Sequence, residues 1–114
     1  LVVDDEEELR TSLSNSLWDA GYDVVTASEG KEALSILKKT KVDLVILDIK
    51  MPGMSGIDVL KVITKEFAST KVIMLTAHSN LKHAIESREN GAVDFIPKPF
   101  DTEDILSSIA RALG

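Results

Sequence analysis

Val42 to Gly53 reads V-D-L-V-I-L-D-I-K-M-P-G. An apolar run, Leu44-Val45-Ile46-Leu47, ends on the carboxylate of Asp48, and a Met51-Pro52-Gly53 turn follows. Consecutive apolar residues without alternation predict a strand covered on both faces, as in a parallel sheet. A charge left inside such a sheet would lose its hydration, so Asp48 is expected at the carboxyl end, where the strand emerges. Open α/β sheets bind their ligands at that edge.

The same signature opens the chain, where Leu1-Val2-Val3 runs into Asp4-Asp5. From Glu6 the period becomes helical, with Leu9, Leu13 and Leu17 on one stripe, Trp18 off it, and Gly21 as the stop. Tyr22 to Ala27 reads as a second strand. Ser28 is expected to cap a second helix that turns Ala33, Leu34 and Leu37 inward and ends near Lys38-Lys39. After the central strand, Ser55 and Asp58 have capping-box spacing, and Leu60, Ile63 and Phe67 share one helix face. Val72 to Leu75 is another continuous apolar run and ends on Thr76. A weaker helix is expected from about Asn80 to Asn90, closed by Gly91 and thinly anchored around Ile85. Val93 to Ile96 supplies a fifth strand, and Pro97-Lys98-Pro99 follows. Phe100 and Ile105 bracket a cap at Asp101 in the manner of a hydrophobic staple, and the last helix is expected to bury Ile105, Ile109 and Leu113. Strand and helix thus alternate five times over residues 1–114. That alternation predicts a single (βα)5 domain, a parallel sheet with helices on both faces and right-handed crossovers.

Composition narrows the chemistry. With no cysteine, disulfides, thiolate metal sites and cysteine nucleophiles are excluded. A net charge of −6 argues against direct nucleic-acid binding, which needs a basic face. No stretch approaches a membrane span and no signal segment opens the chain, so a cytoplasmic location is expected. The abrupt start on Leu1 suggests a domain excised from a longer protein, with part of its first strand missing.

In a parallel sheet every strand ends along one edge. Here those ends carry Asp4 and Asp5, then Asp48, Thr76 and, just past the fifth strand, Lys98. Neighbouring strands lie about 4.8 Å apart, so side chains from three of them meet over one small site. Clustered carboxylates raise each other's pKa unless a cation neutralises them. Hard oxygen ligands without His or Cys suit Mg²⁺, or Mn²⁺ in its place. A lysine and a hydroxyl opposite them offer charge and a hydrogen bond to a phosphoryl group.

Five motifs make the chain resemble the receiver domains of two-component response regulators, the CheY-like, flavodoxin-like fold. They are Val3-Asp4-Asp5-Glu6, Leu47-Asp48, Met51-Pro52-Gly53 with Gly56, Leu75-Thr76-Ala77, and Ile96-Pro97-Lys98-Pro99-Phe100. The resemblance implies strand order 2-1-3-4-5 and a cis Lys98-Pro99 bond. It implies Asp48 as phosphoacceptor, with Asp5, Asp48 and the Lys50 carbonyl as Mg²⁺ ligands and Asp4 acting through a metal-bound water. It further implies Thr76 and the Ala77 amide at the phosphoryl group, Lys98 as its countercharge, and Phe95 as an aromatic switch.

By the same resemblance the chain is a phosphorylation-activated signalling switch, self-phosphorylating but not a multiple-turnover enzyme. Its partners would be a sensor histidine kinase or histidine phosphotransfer protein and an output domain outside this chain. The fourth helix, fifth strand and fifth helix would form the output face and the surface for a homodimer. Lys50 and His78 flank the site and are candidates for controlling water access, while His78 and His83 read as solvated helix-face residues rather than phosphodonors. Trp18 is a candidate for kinase docking. Three other functions compete. A degenerate receiver serving only as an interaction module would lack part of the set that is present here. A haloacid-dehalogenase-like phosphatase needs a second Asp two residues after the nucleophile, where this chain has Lys50. A flavodoxin-like cofactor binder would need a Ser/Thr-rich phosphate loop after the first strand, where this chain has acidic residues.

Overall fold

The continuous apolar runs fill both faces of a five-stranded parallel sheet of order β2-β1-β3-β4-β5. The structure is a computed structural model and describes residues 1–77 and 81–114. The strands are β1 (Val2–Val3), β2 (Thr26–Ala27), β3 (Leu44–Asp48), β4 (Lys71–Ala77) and β5 (Asp94–Lys98). Between and after them come α1 (Glu7–Asp19), α2 (Gly30–Lys39), α3 (Gly56–Glu66), α4 (Leu81–Glu89) and α5 (Thr102–Leu113).

Alternate strand residues serve opposite layers, which is why no polar–apolar alternation is visible in the sequence. Val45, Leu47, Val72 and Met74 pack with Ala33 and Leu37 of α2 and with Val59, Leu60 and Ile63 of α3. Leu44, Ile46, Ile73 and Leu75 pack with Leu13 and Leu17 of α1 and Ile105 and Ile109 of α5. Each such side chain contributes roughly 1.5–3 kcal/mol by leaving water. The core therefore fixes the register that carries the strand ends.

Some expectations give way. The second strand is two residues long, not six, because its partner β1 offers only Val2 and Val3 for pairing. Beyond that ladder Val25 lies 44% exposed. Ser28 does not cap α2; Glu29 holds that place, and the Ser28 N–H and hydroxyl instead donate to the Glu32 carboxylate. Gly30 starts the helix and packs closely on α3, where an added Cβ would come within 2.7 Å of Val59. Leu113 is 45% exposed, since it falls in the last turn of α5. Ser108 takes the buried place on that helix instead. The fifth strand starts at Asp94 and includes Lys98, with Pro97 tolerated because β5 is an edge strand. His78 and Asn80 lie outside the described residues.

Ile85, expected to anchor the fourth helix, lies 50% exposed on α4, and His83, expected to be solvated, is half-buried. The stops, caps and staple hold. Gly21 takes φ +98° after α1. The Ser55 hydroxyl accepts the Asp58 N–H at the start of α3, and Asp104 accepts the Asp101 N–H at the start of α5. Phe100 and Ile105 pack into one core cluster, and the Lys98-Pro99 bond is cis.

Candidate functional site

The register delivers the strand ends together. Val3 of β1 lies beside Leu47 of β3, so Asp4 adjoins Asp48. Asp48 pairs with Leu75, and Ala77 pairs with Lys98. Carboxylate oxygens of Asp4, Asp5 and Asp48 all lie within 4.8 Å of one another. Lys98 Nζ reaches across to Asp4 Oδ2 at 3.0 Å, Asp48 Oδ1 at 3.5 Å and Glu6 Oε1 at 4.0 Å.

Asp4 is fully buried and tightly held. Its Oδ1 accepts the Glu6 N–H at 2.9 Å and its Oδ2 accepts Lys98. Asp48 is also buried, and the loss of hydration pushes its pKa up to about 6, helped by the charges of Asp4 and Asp5 and opposed by Lys98. Burial alone would lower the Lys98 pKa; its hydrogen bond to Asp4 and the charges of Asp48, Asp4 and Glu6 outweigh that and leave it raised. The ammonium therefore stays charged beside Asp48.

The donor set fits a hard divalent cation. It consists of carboxylate oxygens at metal-sized spacing, and Asp5 is exposed, which leaves the water-rich coordination that Mg²⁺ prefers. Lys50 is exposed on the rim beside Asp5, where an open groove of about 610 Å³ starts and runs out between α3 and α4.

On the other side of β3, Thr76 is buried, and among the described residues its hydroxyl donates a long 3.4 Å bond to the Ala77 carbonyl. Phe95 follows the same sheet face. It is half-buried against the core and lines a cavity of about 320 Å³ under α4, together with Ala84, Ser87 and Ala92. Trp18 stands 62% exposed on α1.

Three contributors were given no role at the site by the sequence reading, although Glu6 and Gly56 stand in its motifs. Glu6 is the third anion facing Lys98, Arg10 donates to the Asp4 carbonyl at 2.8 Å, and Gly56 packs on the backbone of Asp48. Arg10 did leave a signal, as a base one turn into an acidic helix start.

The response regulator receiver domain family matches residues 1–110 of the chain. The chain is 38% identical to the DNA-binding transcriptional regulator NtrC of Salmonella typhimurium over 99% of its own length and 24% of that protein. It is 38% identical to the alkaline phosphatase synthesis transcriptional regulatory protein PhoP of Bacillus subtilis, covering 99% of this chain and 47% of that protein. It therefore spans less than half the length of these curated relatives. Among solved structures, the receiver domain of NtrX from Brucella abortus superposes with a TM-score of 0.93 at 34% identity, covering 98% of this chain and 95% of that one.

Proposed function

This chain belongs to the response regulator receiver domain family, and from that premise we propose that Asp48 accepts a phosphoryl group from a phosphohistidine of a partner kinase or phosphotransfer protein. Its function is that of a phosphorylation-activated switch in two-component signalling. The observation that carries the assignment is the surroundings of Asp48. It is a buried carboxylate at a strand end, 3.5 Å from a charged lysine and clustered with Asp4 and Asp5.

Those positions define the transfer. An Asp48 carboxylate oxygen attacks phosphorus, the donor's P–N bond breaks and its electrons return to the ring nitrogen, and the imidazole leaves neutral, keeping the proton already on its other nitrogen. A carboxylate is a weak nucleophile, so orientation and charge balance supply most of the acceleration. Lys98 balances charge on the phosphoryl oxygens, and Asp4 keeps its ammonium in place. The Ala77 amide adds a donor beside it. A divalent cation held by Asp5, Asp48 and the Lys50 carbonyl, with Asp4 behind them, neutralises the carboxylates and the incoming oxygens when bound.

The output is a population shift. The Thr76 hydroxyl gives up its long bond to the Ala77 carbonyl and turns to a phosphoryl oxygen, and the ring of Phe95 follows into the space released. The face built by α4, β5 and α5 carries the change to an output domain or to a second copy, and Ile85 and Val93 stand 50% and 43% exposed on it. Incubation with acetyl phosphate and Mg²⁺ should add one phosphoryl mass to the chain and none to Asp48→Asn. A phosphorylated Asp48→Asn protein would overturn the assignment.

A further inference from the structure

We propose that Arg10 is a positioning residue of the carboxylate site, holding the Asp4–Asp5 peptide in the orientation that a bound divalent cation requires. The inference rests on the reading of Asp4, Asp5 and Asp48 as the cation site.

Arg10 is badly placed for the stability of its own helix. It lies one turn into α1, two residues after the acidic pair Glu7 and Glu8. The helix dipole there favours anions, and a cation forgoes roughly 0.3–1 kcal/mol. Yet the side chain does not extend into water. It is half-buried, and Nη1 donates to the carbonyl oxygen of Asp4 at 2.8 Å.

That carbonyl belongs to the peptide that joins two carboxylates of the cluster. A peptide unit is planar, so fixing the Asp4 carbonyl also fixes the Asp5 N–H and the direction in which the Asp5 backbone leaves. The rest of Asp4 is already immobilised. Its N–H donates to the Ala27 carbonyl at 3.2 Å, Oδ1 accepts the Glu6 N–H, and Oδ2 accepts Lys98. With Arg10 in place, every polar atom of Asp4 is engaged. Asp5, by contrast, is exposed and depends on its backbone for its aim. Arg10 thus acts on Asp5 through the peptide plane, as groups behind a metal ligand commonly orient it.

The sign of the effect separates this role from simple electrostatics. Arginine is a permanent cation beside a cation site, so its charge alone opposes Mg²⁺. Removing it would tighten binding if charge were its whole effect. Losing the positioning contact weakens binding.

Isothermal calorimetry of Mg²⁺ with the unphosphorylated protein decides between them. Arg10→Met should weaken Mg²⁺ by about tenfold, within the range found when groups behind metal ligands are removed. Arg10→Lys keeps the charge and loses the fork, and it should also weaken binding, by a few-fold. Leu17→Ala serves as a control that lowers the melting temperature without touching the site, and its Mg²⁺ affinity should stay within twofold of wild type. A purely structural Arg10 would behave like that control. Unchanged or tighter Mg²⁺ binding in both Arg10 variants overturns the proposal. Asp5→Asn should weaken Mg²⁺ by more than tenfold; if it does not, the cation site itself is misassigned, and the role of Arg10 falls with it.

Discussion

Asp48 carries an electrostatic conflict. Burial and the neighbouring carboxylates raise its pKa from the ordinary 3.8 to about 6. A raised acid pKa means that the folded protein holds the proton more tightly than the unfolded chain. Stability is then unaffected by this group below pH 4, falls as pH rises from about 4 to 6, and stays lower above 6. At about 1.36 kcal/mol per pH unit, the penalty at neutral pH is at most about 3 kcal/mol. Asp48→Asn should therefore stabilise the protein in EDTA by about 1–3 kcal/mol at pH 7, with the difference vanishing near pH 4. Urea unfolding at both pH values checks this, and equal midpoints at pH 7 would count against a buried, charge-crowded acceptor. The same titration limits the chemistry, because only ionised Asp48 is nucleophilic. At low Mg²⁺ the rate of labelling by acetyl phosphate should fall about tenfold per pH unit below 6. Most of this site was legible in the sequence. Asp4, Asp5, Asp48 and Thr76 each end an apolar run, and the parallel sheet aligns such ends. Glu6 and Arg10 were not, because their contacts depend on how α1 leaves β1, which no spacing encodes.

At the scale of elements, the β3–α3 connection does the most to shape the site. The Gly56 N–H donates to the Ile49 carbonyl at 2.7 Å, folding the loop back over the strand end. An added Cβ at Gly56 would sit 2.1 Å from the Asp48 carbonyl oxygen and 2.7 Å from the Ile49 Cα. Neither is the end of a flexible side chain, so the acceptor's own backbone must shift. Gly53 in the same loop differs, with φ at +77° and open space around its Cβ. Gly53→Ala should cost only the left-handed conformation, about 1 kcal/mol, and leave labelling near normal. Gly56→Ala should cost about 3 kcal/mol and slow labelling at least tenfold in the molecules that remain folded. Urea unfolding together with mass-resolved labelling reads both quantities. A Gly56→Ala protein no worse than Gly53→Ala would refute this account of the loop. Element types were legible from period alone, whereas extents were not. The second strand is short because its partner is short, and Leu113 is exposed because it lies in the final turn of α5. Both are tertiary facts.

Across the whole molecule, the two helices flanking β5 are secured unequally. On α5 the Ser108 hydroxyl donates to Asp94, Arg111 lies 3.3 Å from the same carboxylate, and the Phe95 N–H donates to its other oxygen at 2.8 Å. Burial would raise the Asp94 pKa, but these donors outweigh it and leave it lowered. Ile105 and Ile109 then seat the helix in the core. On α4, Ile85 points outward, and the buried Ser87 hydroxyl has no hydrogen-bond partner among the described residues. Just past the C-terminal end of α4, Ala92 donates to the Ser87 carbonyl at 3.0 Å and Thr64 of α3 donates to the Asn90 carbonyl at 2.7 Å. Gly91, at φ +101°, packs against Thr64 at that joint. On the route proposed through Thr76 and Phe95, a change therefore meets one helix latched to β5 through Asp94 and another whose apolar Ile85 is turned to solvent. Phosphorylation should alter amide hydrogen exchange mainly across α4 and the start of β5, with α5 changing least. Thr76→Ala should keep phosphorylation within about threefold and remove at least half of the α4 response, given a coupling of about 1–3 kcal/mol. Exchange measured by mass spectrometry before and after acetyl phosphate tests both statements. If α5 responds as strongly as α4, the latch at Asp94 does not divide the face. If Thr76→Ala leaves the α4 response whole, the signal reaches α4 by another route.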